Sequence, residues 1–196
     1  MIWNSTAQTL LADRSKGMAI RWLLWVEARD RTTGDPEPLG LWSGEDHAEF
    51  DIGGDTRTYF GALDGLQCDD IQYQAGTVIQ SMGMRVPMDL PETIQLFRVS
   101  ETRLAPCEVH WALFDTINNT LADVTRVFKG RIDGAPITTP GDGKRAMASI
   151  MIASSLRGGT KMAGARKSNS MQLLRGSGDI GRRYGDLGRV ANDEWK

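Results

Sequence analysis

The regular spacing of turn sequences is the feature that most restricts the fold of this chain of 196 residues. Short segments rich in branched and aromatic residues alternate with turns that contain Gly and Asp, such as residues 34–36, 53–55 and 64–65. Strands that follow one another every ~8 to 12 residues, with turns of this kind between them, are typical of antiparallel sandwiches and barrels. The pattern therefore predicts a mainly β body, built as an antiparallel barrel or sandwich.

Individual strands follow from the same pattern. The first, at residues 18–30, is apolar and aromatic enough to be buried on much of both faces. In residues 107–113 polar and apolar residues alternate with a period of two, so we expect His110 to face water or a neighbouring subunit. The strands are predicted at residues 18–30, 39–43, 47–52, 56–60, 66–74, 77–86, 107–113, 124–132 and 145–153.

Two short helices interrupt this pattern. Residues 5–16 begin with Ser5 in a capping-box sequence, which predicts a helix with Ser5 as its N-cap. A second helix is predicted near residues 90–99, with Asp89 as N-cap and Pro91 in the first turn. Ile94 and Phe97 are expected to face the sheet.

The C-terminal quarter of the chain differs from the rest in charge. Residues 157–189 contain eight Lys or Arg, two acids and eight of the 22 Gly, and the remaining residues contain 15 basic and 23 acidic side chains. A segment with so little apolar surface is expected to become ordered only against another surface. We therefore divide the chain into an N-terminal helix (1–17), a β body (18–155) with a helix near 90–99, and a basic glycine-rich arm (156–196).

Three interpretations of the basic arm are open. Lys and Arg can neutralise nucleic-acid phosphates, but Tyr184 is the only aromatic residue among the cations, whereas single-strand binders combine charge with stacking residues. A freely solvated tail is disfavoured by apolar residues such as Leu173 and Ile180. The composition favours an arm that docks on a neighbouring subunit or on its own body, with Trp195 as an anchor. The predicted intersubunit contacts are Arg157, Lys161, Arg166, Lys167, Arg175, Arg182, Arg183, Tyr184 and Trp195.

The reactive residues do not form a catalytic or metal-binding pattern. The two cysteines, Cys68 and Cys107, and the two histidines, His47 and His110, lack the spacing of a tetrahedral metal site. A Ser43–His47 pair with a nearby acid has neither an orienting scaffold nor an evident oxyanion donor pair. We therefore expect no enzyme, no metal and no cofactor, and a cell-wall hydrolase is the least supported function.

The sequence also gives no indication of a secretory signal or a membrane span. The first 17 residues carry charges and lack a long apolar run, so no secretory signal is expected. The apolar stretch at residues 18–28 is far shorter than the roughly 20 residues of a membrane span. The expected location is inside a cell or in a particle built there, without a membrane partner.

The order of several short motifs resembles the tail hub, or tail-tip (baseplate), proteins of long-tailed bacteriophages and gene transfer agents. The chain departs from the family pattern at Ser177, Arg182 and Arg183, and it lacks the cysteine cluster that holds an iron–sulfur centre in some tail-tip proteins. The matching motifs are the strand at residues 22–27, Leu-Trp-Ser-Gly at 41–44, residues 59–66, a helix after Pro91, residues 128–133, residues 155–157, Arg166, residues 168–172, Gly-Asp at 178–179, Tyr184 and Trp195.

The resemblance implies a structural role. Proteins of this family are β-barrel subunits of a trimeric ring that joins the tail tube and the distal tail protein to the central fibre or receptor-binding apparatus. It implies a homotrimer in the tail tip of a virion, assembled in the host cytoplasm. Two alternatives stay open: the distal tail protein of the same particle, usually a sixfold ring built on a β-sandwich, and a nucleic-acid-binding module that uses the basic arm.

Overall fold

The computed structural model describes residues 3–13, 15, 17–71, 79–154 and 169–176. The chain divides into two units, Met1–Gly158 and Gly159–Lys196. In the second unit the structure describes one helix, α3 (Asn169–Arg175), and the residue after it.

The first unit is built almost entirely from strands. Short helices flank or interrupt them, and no helix of the described residues is long and apolar enough to cross a membrane. The elements are α1 (Ser5–Ala12), β1 (Met18–Asp30), β2 (Pro36–Trp42), β3 (Ala48–Ile52), β4 (Asp55–Gly61), a 3-10 turn (Leu63–Gly65), β5 (Gln67–Cys68), β6 (Ser81–Pro87), α2 (Pro91–Ile94), a π-helix (Gln95–Val99), β7 (Ser100–Glu101), β8 (Pro106–Asp115), β9 (Thr120–Gly134), β10 (Ile137–Thr138) and β11 (Met147–Ser154).

The strands predicted from the sequence are present, with ends shifted by a few residues. The predicted strand at 18–30 matches β1 (Met18–Asp30) at both ends. Only the predicted strand at 66–74 is much shorter, since β5 covers Gln67–Cys68 and residues 72–78 lie outside the described part of the chain. The expectation of a mainly β body is confirmed.

All described strands belong to one sheet of 11 strands. Its main path runs β3-β4-β2-β1-β8-β9-β11-β6-β5, with β10 beside β11 and β7 beside β1. The strands at the two ends of this path, β3 and β5, are not paired with each other, so the sheet is open and does not close as a barrel. The pairing of β2 with β4 is parallel, which differs from the purely antiparallel prediction. It follows from the topology, because β3 reverses the chain and β4, rather than β3, lies beside β2.

The open sheet packs against itself. Leu24 and Val26 of β1 share one buried cluster with Met84 of β6 and Ile150 of β11, although these strands are far apart along the path. Distant parts of the sheet therefore face each other, as the two layers of a sandwich do. A second cluster, centred on Leu23, Phe50, Tyr59 and Ala112, lies on the opposite side of β1 and β8, where the β3–β4 hairpin covers them.

Because β8 is covered on both sides, the predicted orientation of His110 is wrong. Val109 lies in the main core, whereas the ring of His110 is 2% exposed and lies near Arg57 of the β3–β4 hairpin. Glu108, on the same face as His110, is also buried. The alternation in the sequence resembled a half-exposed strand because the second face of β8 carries the polar residues Glu108 and His110, which are buried beside Arg57 of the hairpin.

The N-terminal helix has a different cap from the predicted one. Asn4, not Ser5, is the N-cap of α1, and its side chain accepts a hydrogen bond from the N–H of Ala7 at 2.8 Å. The same side chain donates to the carbonyl of Ala122 in β9 at 3.0 Å. The helix ends at Ala12, four residues earlier than predicted. Asn4 therefore caps the helix and fixes it to the sheet.

The second helix also begins differently from its prediction. Leu90 is its N-cap, and the carboxylate of Asp89 instead accepts a hydrogen bond from Nε of Arg145 at 2.7 Å. Phe97 is buried as expected, but Ile94 is 40% exposed. The helix widens into a π-helix after Ile94, which changes the set of side chains that faces the sheet.

Candidate assembly surface

The residues predicted to make intersubunit contacts lie almost entirely in the C-terminal unit. Of these, the structure describes Arg175, an exposed residue at the end of α3. The other predicted residues, Arg157, Lys161, Arg166, Lys167, Arg182, Arg183, Tyr184 and Trp195, lie outside the described residues. Their contacts stay a prediction, and the described residues of the body form the surface that could receive them.

Anionic charge on the body is concentrated around β3. Residues 45–55 contain five acidic residues and no Lys or Arg, and all five are exposed. We call this region, together with the preceding loop at 43–44, the acidic edge. β3 ends the path of the described sheet, and a terminal strand presents backbone N–H and C=O groups on its outer side. The five acids are Glu45, Asp46, Glu49, Asp51 and Asp55.

The alternation of β3 directs its charges outward. Phe50 is buried against Tyr59, with ring centroids 5.5 Å apart, and anchors the inner face of the strand. Because successive side chains of a strand point to opposite faces, Glu49 and Asp51 lie on the outer face. None of the five carboxylates of the acidic edge forms an ion pair with a described residue. Among the described residues, the region therefore presents negative charge that no ion pair neutralises.

The loop before β3 is held in a defined conformation. The N–H of Ser43 donates to the carbonyl of Trp22 at 2.9 Å, and the indole N–H of Trp42 donates to the carbonyl of Asp46 at 2.7 Å. Gly44 lies directly against the indole, since a Cβ built there would be 2.1 Å from Cη2 of Trp42. These contacts place the neighbouring Glu45 on a fixed backbone, so the negative charge is preorganised.

A cleft of about 530 Å³ adjoins this loop. Aromatic residues and acids line it together, and the rings of Trp42 and Phe114 lie 6.2 Å apart. Arg21 also lines the cleft, and its Nη1 donates to the carbonyl of Ser43 at 3.3 Å. Aromatic rings beside carboxylates suit a guanidinium or ammonium group. The lining includes Arg21, Trp42, Glu45, Asp46, His47 and Phe114.

A network of buried charges connects the β3–β4 hairpin to the middle of the sheet. Glu108 of β8 lies at its centre, and its Oε2 accepts from Nη1 of Arg57 on β4 at 2.9 Å. Its Oε1 accepts from Nζ of Lys129 at 2.7 Å and lies 3.5 Å from Nη1 of Arg126, both on β9. The guanidinium of Arg57 also lies 4.9 Å from the ring centroid of Trp25. One carboxylate thus joins three strands.

The network changes the ionisation of its members. Burial alone would raise the pKa of Glu108, but the hydrogen bonds and charges of Lys129 and Arg57 outweigh it and lower the pKa to about 2. Burial lowers the pKa of His110 to about 4, and the neighbouring cations add to this effect. Burial raises the pKa of Tyr59 to about 12. Near neutral pH, Glu108 is therefore charged while His110 is neutral.

This network was not predicted from the sequence. The signal available was an acidic residue within an apolar strand, followed by Arg126 and Lys129 on the next strand. The two thiols are less informative for function. Burial raises the pKa of Cys107 well above its usual value and that of Cys68 to about 12, so both stay protonated. No group of three or more His, Cys, Asp or Glu in the described parts of the chain is placed to hold a metal ion.

Comparison with known proteins gives a match among solved structures but none among protein sequences. No protein-family model matches the sequence, and no curated protein is significantly similar to it. Among solved structures, the fold is similar to that of a chain in the virion of a native gene transfer agent (GTA) particle, with a TM-score of 0.53 and 13% sequence identity. The match covers 85% of this chain and 50% of the other, so this chain spans half the length of its structural neighbour. At this identity the comparison shows that the two chains share a fold.

Proposed function

We propose that this protein is a structural subunit of the tail tip of a bacteriophage or gene transfer agent. The observation that carries the proposal is the shared fold with a chain of a gene transfer agent virion, which extends over 85% of this chain at a TM-score of 0.53. The order of sequence motifs, which resembles that of tail hub proteins, supports the same type of particle. The proposed location is the tail tip of the virion, after assembly in the host cytoplasm.

The charge distribution supports assembly from identical copies. The basic C-terminal arm and the acidic edge have opposite charges and lie in different units of the chain. A contact between unlike patches on neighbouring copies is heterologous, and such contacts form a ring when the rotation from one copy to the next closes. Electrostatic complementarity also fixes the register of the contact. We therefore propose a homotrimeric ring that joins the tail tube and distal tail protein to the central fibre or receptor-binding apparatus, without catalytic activity or a cofactor.

One structural observation favours a second function, that of the distal tail protein. The sheet is open and packs against itself as a sandwich, and it does not close as the barrel that the tail hub resemblance implies. Distal tail proteins are usually sixfold rings built on a sandwich. The two functions differ in the symmetry and position of the ring, and not in the type of particle.

A density map of the intact particle, with its symmetry resolved, tests the proposal. A threefold ring of this chain at the tail tip is the expected result, and a sixfold ring next to the tail tube would assign the distal tail protein instead. A chain found in the head, or absent from the particle, would contradict both. Titration of the purified protein with DNA at moderate salt tests the nucleic-acid alternative, for which binding with a steep salt dependence would be decisive.

A further inference from the structure

We infer that the open edge of the sheet at β3, with the cleft beside it, is the docking site for the basic C-terminal segment (residues 157–189) of a second copy of this chain. The inference rests on the proposed function as an assembly of identical subunits. Beyond the proposed function, we thereby identify the surface of the body that binds the arm.

Charge complementarity identifies the occupant. Residues 45–55 carry five carboxylates without a single Lys or Arg, and residues 157–189 carry eight cations and two acids. Some exposed carboxylates elsewhere in the body are already paired with cations, for example Asp89 with Arg145 at 2.7 Å and Asp142 with Lys144 at 2.6 Å. The acidic edge places five exposed carboxylates within eleven residues, and none of them forms an ion pair with a described residue, so this surface attracts a cationic segment.

The backbone of β3 offers a second mode of recognition. Its inner side pairs with β4 from Ala48 opposite Tyr59 to Ile52 opposite Asp55. Its outer side ends the described path of the sheet, so its backbone groups are oriented to pair with an extended segment. Phe50 holds the strand in place from the inner face, which means that the edge need not rearrange to receive a partner.

The cleft beside the loop offers a place for one cationic side chain. Trp42 and Phe114 supply aromatic surface, and Glu45 supplies a carboxylate on a backbone that Gly44 and the Trp42 indole hold in place. An Arg side chain matches both features, because its guanidinium stacks on rings and pairs with carboxylates. Arg21 neutralises part of the cleft, so the strongest attraction lies on the side of β3.

The test uses the full-length chain and charge reversal. We expect the variant with Glu45→Lys, Asp46→Lys and Glu49→Lys to weaken self-association by about tenfold or more, measured as the concentration dependence of mass in sedimentation velocity. The matched control carries Glu27→Lys, Asp35→Lys and Asp70→Lys, which change the net charge equally at exposed positions away from β3, and should associate as the wild type does. A milder variant with Glu45→Gln, Asp46→Asn and Glu49→Gln should show a smaller loss, and circular dichroism verifies that each variant is folded.

Restoration by a second charge reversal identifies the partner segment. Arg175→Glu, Arg182→Glu and Arg183→Glu should weaken association alone and restore most of it when combined with the three Lys substitutions at the acidic edge. If the wild type associates but the acidic-edge variant and the control behave alike, the inference is overturned while assembly itself stands. A wild-type chain that stays monomeric also overturns it, whereas the place of the protein in the particle is decided separately by the density map.

Discussion

Arg57 on β4 donates from Nη1 to Oε2 of Glu108 on β8 across 2.9 Å, and both side chains are largely buried. The contact connects the outer hairpin, whose other strand carries part of the acidic edge, to a central strand of the sheet. Arg57 lies opposite Phe50 of β3, so the same hairpin is anchored by an ion pair and by an aromatic side chain. The position of the acidic edge therefore depends on residues that are not part of it.

We predict that Glu108→Gln lowers the free energy of unfolding by about 3 kcal/mol, because the substitution leaves the buried Arg57 without its counter-charge. Chemical denaturation at neutral pH, followed by circular dichroism, measures the change. Glu27→Gln, at an exposed position of β1, is the control and should change stability by less than about 0.5 kcal/mol. A loss for Glu108→Gln as small as that of the control would show that the network contributes nothing to stability.

Stability is also predicted to fall in acid in two stages. The pKa of His110 is lowered to about 4 in the folded protein, so the unfolded chain binds its proton first as the pH falls below about 6.5. The pKa of Glu108 is lowered to about 2, so its contribution is complete above about pH 4.5 and is lost as the pH falls toward 2. In both cases the unfolded state binds more protons, and stability decreases with decreasing pH.

Thermal unfolding at a series of pH values distinguishes the two stages. His110→Gln should flatten the profile between about pH 6.5 and 4, and Glu108→Gln should flatten it below about pH 4.5. Unchanged profiles in both variants would mean that other groups cause the acid sensitivity.

Gly44 is predicted to be required for the shape of the loop before β3. In Gly44→Ala the new methyl group would overlap the Trp42 indole, and displacing the ring or the loop should cost about 1 to 3 kcal/mol. Gly141→Ala is the matched control, because a Cβ at that position meets no atom within 4 Å. Thermal unfolding compares the two variants, and equal melting temperatures would contradict the tight contact at Gly44.

Removal of residues 157–196 is predicted to leave a folded monomer that no longer forms rings. The described residues of the three buried clusters of the body all precede this segment, so we expect the shortened chain to keep its fold. Light scattering gives the mass of the shortened chain and circular dichroism its fold. If the shortened chain still forms the full oligomer, the arm has no role in assembly.

The sequence predicted the strands well because most of them are bounded by strong turn signals and have branched or aromatic content. It could not predict the partners of Glu108, since these depend on strand register. Counting back from the turn at 116–119 without interruption would place Val127 opposite Glu108. Two irregularities in the β8–β9 pairing, between Leu113 and Phe114 and between Val109 and His110, each shift the register by one residue and bring Lys129 opposite Glu108 instead.

Other differences have similar causes. Asn4 and Ser5 are both residue types that favour the N-cap position. Asn4 takes this position in the structure, where its side chain also donates a hydrogen bond to the carbonyl of Ala122, a residue distant in sequence. The burial of His110 likewise depends on the β3–β4 hairpin, which lies about 50 residues earlier in the chain and folds over β8. By contrast, the concentration of acids at residues 45–55 is visible in the sequence, but its position at the end of the sheet is not.

The central claim is that identical copies bind each other through the C-terminal arm. Cross-linking of an oligomer assembled from equal amounts of isotopically light and heavy full-length chains tests this claim most directly. A reagent that joins amines to carboxylates should link Lys161 or Lys167 of one copy to Glu45 or Glu49 of another. If the arm docks on a neighbouring copy, light–heavy pairs should form about half of these cross-links, as random mixing of copies requires. Cross-links confined to light–light and heavy–heavy pairs would show that each arm binds its own body, and would contradict the claim.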